Sequence, residues 1–104
     1  MKREFPNAVV KRWIDGDTVD LDVDLGFKVW SGQRFRLAGI NTPEKGEVGC
    51  QEATDFANSL APAGTSVSVV CHGLDRYGRW VADVKKGETN VGVSLLAKGL
   101  AKEY

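Results

Sequence analysis

The sequence predicts a small closed β-barrel of five strands carrying two helices, and three observations lead there. From Thr18 to Leu25, the apolar Val19, Leu21, Val23 and Leu25 alternate with Asp20, Asp22 and Asp24, so one strand face enters a core and the other stays wet. From about Gln51 to Leu60, Ala53, Phe56, Ala57 and Leu60 recur at helical spacing. Five short strand-like segments, with this helix before the fourth and another at the end, fit a barrel that closes on itself.

In chain order, Ala8-Val9-Val10-Lys11-Arg12-Trp13-Ile14 is rich in β-branched and aromatic residues and reads as the first strand, ending at the Asp15-Gly16 turn. The alternating run from Thr18 is the second. Gly26 turns the chain into a third strand, Phe27 to Leu37, with Gly32 as a bulge or bend. Lys45-Gly46-Glu47-Val48-Gly49 has the composition of a loop, and Pro62 and Gly64 stop the helix that comes after it. Val67 and Val69 restore a strand that runs to Cys71, and Trp80, Ala82 and Val84 alternate with Arg79, Val81 and Asp83 as the fifth. After the turn Lys85-Lys86-Gly87-Glu88, Thr89 or Asn90 caps the last helix, whose apolar stripe is Val93, Leu96, Ala97 and Leu100 and whose stop is Gly99. Alternation sends Val9, Val19, Leu21, Val23, Leu37, Val67 and Ala82 toward one core.

A chain of 104 residues is long enough for one core and not for two, so a single domain over 1–104 is expected. With 42% apolar and 27% charged residues, an ordered globular protein is expected. Met1 to Pro6 is not followed by an apolar run, and no stretch is long enough to span a membrane, so neither a signal peptide nor a membrane segment is expected. Compartment stays open, and a mature exported form is compatible with this reading. Fourteen Lys and Arg balance fourteen Asp and Glu, so binding to a polyanion has to come from local clustering, chiefly Arg34, Arg36, Arg76 and Arg79. Cys50 and Cys71 could pair, but they lack metal-ligand spacing and read as free, partly buried thiols.

The chemistry-bearing stretch is Arg34-Phe35-Arg36-Leu37-Ala38-Gly39-Ile40-Asn41-Thr42-Pro43-Glu44, where an apolar strand runs into a polar corner. Phe35 and Leu37 alternate with Arg34 and Arg36, and Pro43 stiffens the turn that carries Asn41, Thr42 and Glu44. A phosphate-binding cation, two oxygen ligands and a carboxylate in one place are what phosphodiester hydrolysis requires. Asp15-Gly16-Asp17-Thr18 adds two carboxylates, and Asp75-Arg76-Tyr77-Gly78-Arg79 adds two guanidiniums beside a ring. The series Asp20, Asp22, Asp24 lacks the glycine and glutamate positions of an EF-hand loop and reads as a solvated strand face.

Taken in order, DGDT, then R-L-x-x-I-N-T-P-E, then DRYGR resemble the staphylococcal nuclease family, over about Val9 to Tyr104. The resemblance implies an OB-type five-stranded barrel and a calcium-dependent phosphodiesterase acting on DNA or RNA with little sequence preference. It implies one calcium ion held by Asp17, the Asn41 side-chain oxygen and the Thr42 backbone carbonyl. It also implies Glu44 as general base, Arg36 and Arg79 on the phosphate, Arg76 and Tyr77 against the substrate, and products with 3′-phosphate ends. At one central position the chain departs from the pattern, carrying Asn41 where the family usually has Asp. The family's further C-terminal helix is also expected to be absent beyond Tyr104. A monomer is expected.

Each of these residues also has a plainer reading. Asp15 and Asp17 could cap turn amides, Glu44 could form a surface salt bridge, and Arg36 and Arg79 could pair with Asp15 or Asp17. Tyr77 could pack at the barrel mouth, and Trp13, Trp30 and Trp80 are expected to pack in the core or at its rim rather than serve as base-stacking platforms. His72, the single histidine, has no partnering motif and is a poor catalyst candidate. The rival function is a catalytically weak barrel that binds single-stranded nucleic acid or a protein partner. Such a binder could lose Glu44 without consequence, whereas the enzyme needs Asp17, Glu44, Arg36 and Arg79 together.

Overall fold

The computed structural model describes residues 2–104. Its elements are β1 (Arg3–Asp15), β2 (Thr18–Asp24), β3 (Trp30–Leu37), β4 (Ile40–Asn41), α1 (Cys50–Leu60), β5 (Ser66–Leu74), β6 (Trp80–Lys86), β7 (Thr89–Asn90), α2 (Val91–Ala97) and β8 (Lys102–Glu103). Antiparallel ladders run β3-β2-β1-β5-β6, and a short parallel ladder from β3 to β6 closes the five into a barrel, as the alternation predicts. β7 pairs antiparallel with the end of β6, and β4 pairs with β8 in a separate ribbon.

The core is filled from every strand of the barrel and capped by both helices. Val10, Val19, Leu21, Leu37, Val69 and Val84 are almost wholly removed from water. Each such side chain contributes about 1.5–3 kcal/mol, far more than a surface ion pair. Ala53 and Ala57 of α1 and Val91 and Leu95 of α2 press small or branched surfaces onto this core. Trp13 enters it too, and its indole N–H donates to the Ala61 carbonyl at 2.9 Å, which satisfies both the ring and the end of α1.

Several sequence expectations are corrected. The first strand begins at Arg3, and the core residues of β1 are Ala8, Val10 and Trp13, with Val9 only half-buried. Register shifts at Phe5/Ala8 and at Val10/Arg12 are the cause, since each extra residue reverses the parity of the strand beyond it. The third strand begins at Trp30, not Phe27, because Gly26, Phe27 and Lys28 are all left-handed (φ +88°, +55° and +63°) and form a turn. Leu25 lies beyond the end of β2 and is 48% exposed.

Gly32 makes no bulge. It pairs regularly with Asp22, and a Cβ there would lie 3.3 Å from the Asp22 carboxylate that meets Lys11. The stripe of α2 is also shifted. Asn90 is its cap, accepting the Val93 N–H at 3.1 Å, so Val91 and Leu95 face the barrel while Val93 and Ala97 are exposed. Cys50 and Cys71 are free thiols. Among the described residues no helix is long and apolar enough to cross a membrane.

Candidate active site

Three segments meet at one end of the barrel because β2, β3 and β6 are neighbours there. Thr18 pairs with Arg36 across β2 and β3, and Arg36 pairs with Val81 across the closing ladder. Asp17, one residue before β2, and Arg79, one residue before β6, are thereby carried to either side of Arg36. The Leu37 N–H donates to the Asp17 carbonyl at 2.8 Å and fixes the β1–β2 turn to the end of β3.

The resulting cleft, about 460 Å³, is lined by Asp17, Arg36, Asn41, Thr42, Glu44 and Arg79, joined by Asp15, Thr18 and Glu47. Arg76 and Tyr77 stand beside it rather than in it. The Tyr77 ring has the Arg79 guanidinium 5.2 Å and the Arg76 guanidinium 5.4 Å from its centroid.

Asp17 is the most constrained carboxylate. Its Oδ2 accepts the buried Thr42 N–H at 3.1 Å and lies 3.5 Å from Arg36 Nη2, while its Oδ1 accepts the Thr18 hydroxyl at 3.1 Å. Burial pulls its pKa upward, but hydrogen bonding with Asp15, the Thr42 amide and the Arg36 charge outweigh that and hold the carboxyl below its ordinary value. Asp15 moves the other way, raised by burial and by the Asp17 carboxylate beside it.

Gly16, between them, is a packing residue. A Cβ at this position would fall 2.7 Å from Ala53 Cβ and 2.8 Å from Thr42 Cγ2, so only glycine lets the turn press against α1 and Thr42.

The two arginines differ in freedom. Arg36 is nearly buried, and its guanidinium donates to the Leu37 carbonyl at 3.3 Å, the Ile40 carbonyl at 3.0 Å and the Asn41 side-chain oxygen. The Tyr104 ring covers it at 4.9 Å, and the Tyr104 N–H is tied to the Gly39 carbonyl at 3.0 Å. Arg79 is about half exposed and held only at its root. Asp75 accepts its Nε at 2.8 Å and its backbone N–H at 2.9 Å, which leaves both terminal nitrogens for the cleft.

Glu44 stands on the loop before α1. Its backbone N–H donates to Glu47 Oε1 and its carbonyl accepts the Glu47 N–H, so the loop is folded on itself while the Glu44 side chain lines the cleft.

The groups at this corner that could hold a cation are all oxygen: the Asp17 carboxylate, the Asn41 amide oxygen and the Thr42 carbonyl. Such a set fits a hard divalent cation and not a soft one. Beside it, Thr42 Oγ1 is a buried polar atom without a hydrogen-bond partner among the described residues, as expected of a site built for something more than protein. Among those residues no three His, Cys, Asp or Glu side chains gather at one metal-binding point.

Residues 34–104 match the family described as staphylococcal nuclease homologue. The chain belongs to the staphylococcal nuclease family. It is 35% identical over 96 residues to an uncharacterized endonuclease of Escherichia coli O157:H7, an alignment covering 91% of this chain and 59% of the relative. It is 32% identical over 101 residues to the thermonuclease of Staphylococcus intermedius, covering 90% of this chain and 57% of that protein. The chain thus spans somewhat more than half the length of these relatives.

Within this nuclease-family barrel, sequence reasoning missed Glu47, Asp75 and Tyr104 as residues that shape the site. Asp75 carries a readable signal, an Asx residue two places before an accepted backbone N–H, here that of Tyr77 at 2.8 Å. Glu47 and Tyr104 carry none, because their places depend on a loop fold and on the β4–β8 ribbon.

Proposed function

We propose that this chain is a calcium-dependent nuclease domain that hydrolyses phosphodiester bonds of DNA or RNA with little sequence preference. The observation that carries the reading is the gathering of Asp17, Arg36, Asn41, Thr42, Glu44 and Arg79 around one open, polar cleft of a nuclease-family barrel. The names of the relatives, endonuclease and thermonuclease, support the same class of reaction.

In this reading Asp17, Asn41 and the Thr42 carbonyl hold the cation, which supplies positive charge at a phosphate oxygen when bound. Glu44 accepts a proton from a water molecule, whose oxygen attacks phosphorus as the bond to the 5′-oxygen breaks and a 3′-phosphate end remains. Arg36, fixed by three acceptors, gives the phosphate a rigid binding surface. The free terminal nitrogens of Arg79 track the charge that builds on the equatorial oxygens. Arg76 and Tyr77, stacked beside Arg79, contact the flanking nucleotide.

The test is digestion of heat-denatured DNA and of RNA with calcium and with a chelator. Calcium-dependent cleavage leaving 3′-phosphate ends is the expected result. Binding without cleavage at any calcium concentration would replace the enzyme with a binding module.

A further inference from the structure

The catalytic cleft does not end at Arg36. A second cavity of about 340 Å³ shares Thr18, Arg36 and Arg79 with it and continues over Gln33, Arg34 and Trp80. Arg34 and Arg36 leave the same outward face of β3, about 7 Å apart along the strand. The first is half exposed, whereas the second is nearly buried.

Arg34 is also poorly neutralised. Its Nε and Nη2 donate to Asp20 at 2.8 and 3.2 Å, but the Arg12 Nε claims the same carboxylate at 3.1 Å. Two guanidiniums on one carboxylate leave a positive charge over, and among the described residues no acceptor engages Arg34 Nη1. The free Nη1 edge of this half-exposed guanidinium can meet a phosphate while Asp20 keeps the other edge in place.

We propose that this extension is a subsite for one nucleotide adjoining the scissile bond of a single-stranded polynucleotide, its phosphate on Arg34. The proposal rests on the nuclease reading for its register, since the scissile phosphate is placed at Arg36 and Arg79. It predicts that substrate length matters and that Arg34 is where the dependence arises.

The experiment compares the wild-type chain and Arg34→Ala on thymidine dinucleotide, with one phosphodiester, and on hexathymidylate. Arg34→Ala should raise KM for the hexanucleotide roughly tenfold, the loss of one charge-assisted contact. The penalty on the dinucleotide should be much smaller. The dependence of log KM on log salt for the hexanucleotide should flatten by about 0.7, the increment for one phosphate on a single strand. Equal penalties on both substrates, or none on either, would overturn the subsite. If the wild-type chain cleaves neither, the nuclease reading fails, and equilibrium binding of labelled hexathymidylate still decides the subsite. Weaker binding by Arg34→Ala supports it, and equal binding refutes it.

Discussion

The Arg36 guanidinium donates through Nη2 to the side-chain oxygen of Asn41, so the proposed phosphate cation and a proposed metal ligand are tied to each other. An amide oxygen shared with a buried arginine is a weaker magnet for a cation than a carboxylate, which could serve both at once. In the proposed site, Asn41 is the position where a carboxylate would draw a cation more strongly.

Restoring the carboxylate tests that directly. Asn41→Asp should tighten calcium binding roughly tenfold by calorimetry, the effect of about one extra charge at a partly exposed site. The calcium dependence of cleavage should move to lower concentration with it. Unchanged or weaker binding would mean that the side chain at 41 is not a ligand.

Gly16 has a steric prediction of its own. Because a Cβ there meets Ala53 and Thr42 well inside contact distance, Gly16→Ala should cost about 1–3 kcal/mol in denaturant unfolding. It should also weaken calcium binding, since Thr42 must shift. A stable Gly16→Ala variant with wild-type calcium affinity would show that the turn relaxes without moving the site.

The acidic pair gives a pH signature. The folded pKa of Asp17 is depressed, so its stabilising contribution is complete above its unfolded value, about 3.9, and is lost as pH falls through the folded one. Asp15 is raised, so its ionisation costs stability as pH rises through its folded value. Asp17→Asn should therefore flatten the loss of stability below about pH 4, and Asp15→Asn should raise the melting temperature at pH 7. A wild-type acid profile in Asp17→Asn, or a lower melting temperature in Asp15→Asn, would contradict the assigned shifts.

Much of this architecture is legible in the sequence because β2 and β5 bury alternate residues without interruption up to their ends. The parity of β1 is not, because three register shifts lie inside it, and nothing in Pro6 or Lys11 announces how many residues a shift inserts. Phe27 and Lys28 mislead because left-handed backbone is rare for such residues, and here the turn hydrogen bonds of Leu25 and Val29 impose it. Motif order points to the gathering of the site residues but not to its cause. That cause is the parallel ladder between β3 and β6, a pairing of distant segments that no local pattern encodes. Tyr104 over Arg36 is invisible in the sequence for the same reason.

The measurement closest to the central claim is the turnover of Glu44→Gln and Arg79→Ala on heat-denatured DNA at saturating calcium, beside the wild-type chain. Neither side chain enters the core, so both variants should melt like the wild type, while the rates fall about a hundredfold or more. Wild-type rates in either variant would contradict the assignment of base and phosphate ligand, and with it the account of how this cleft works.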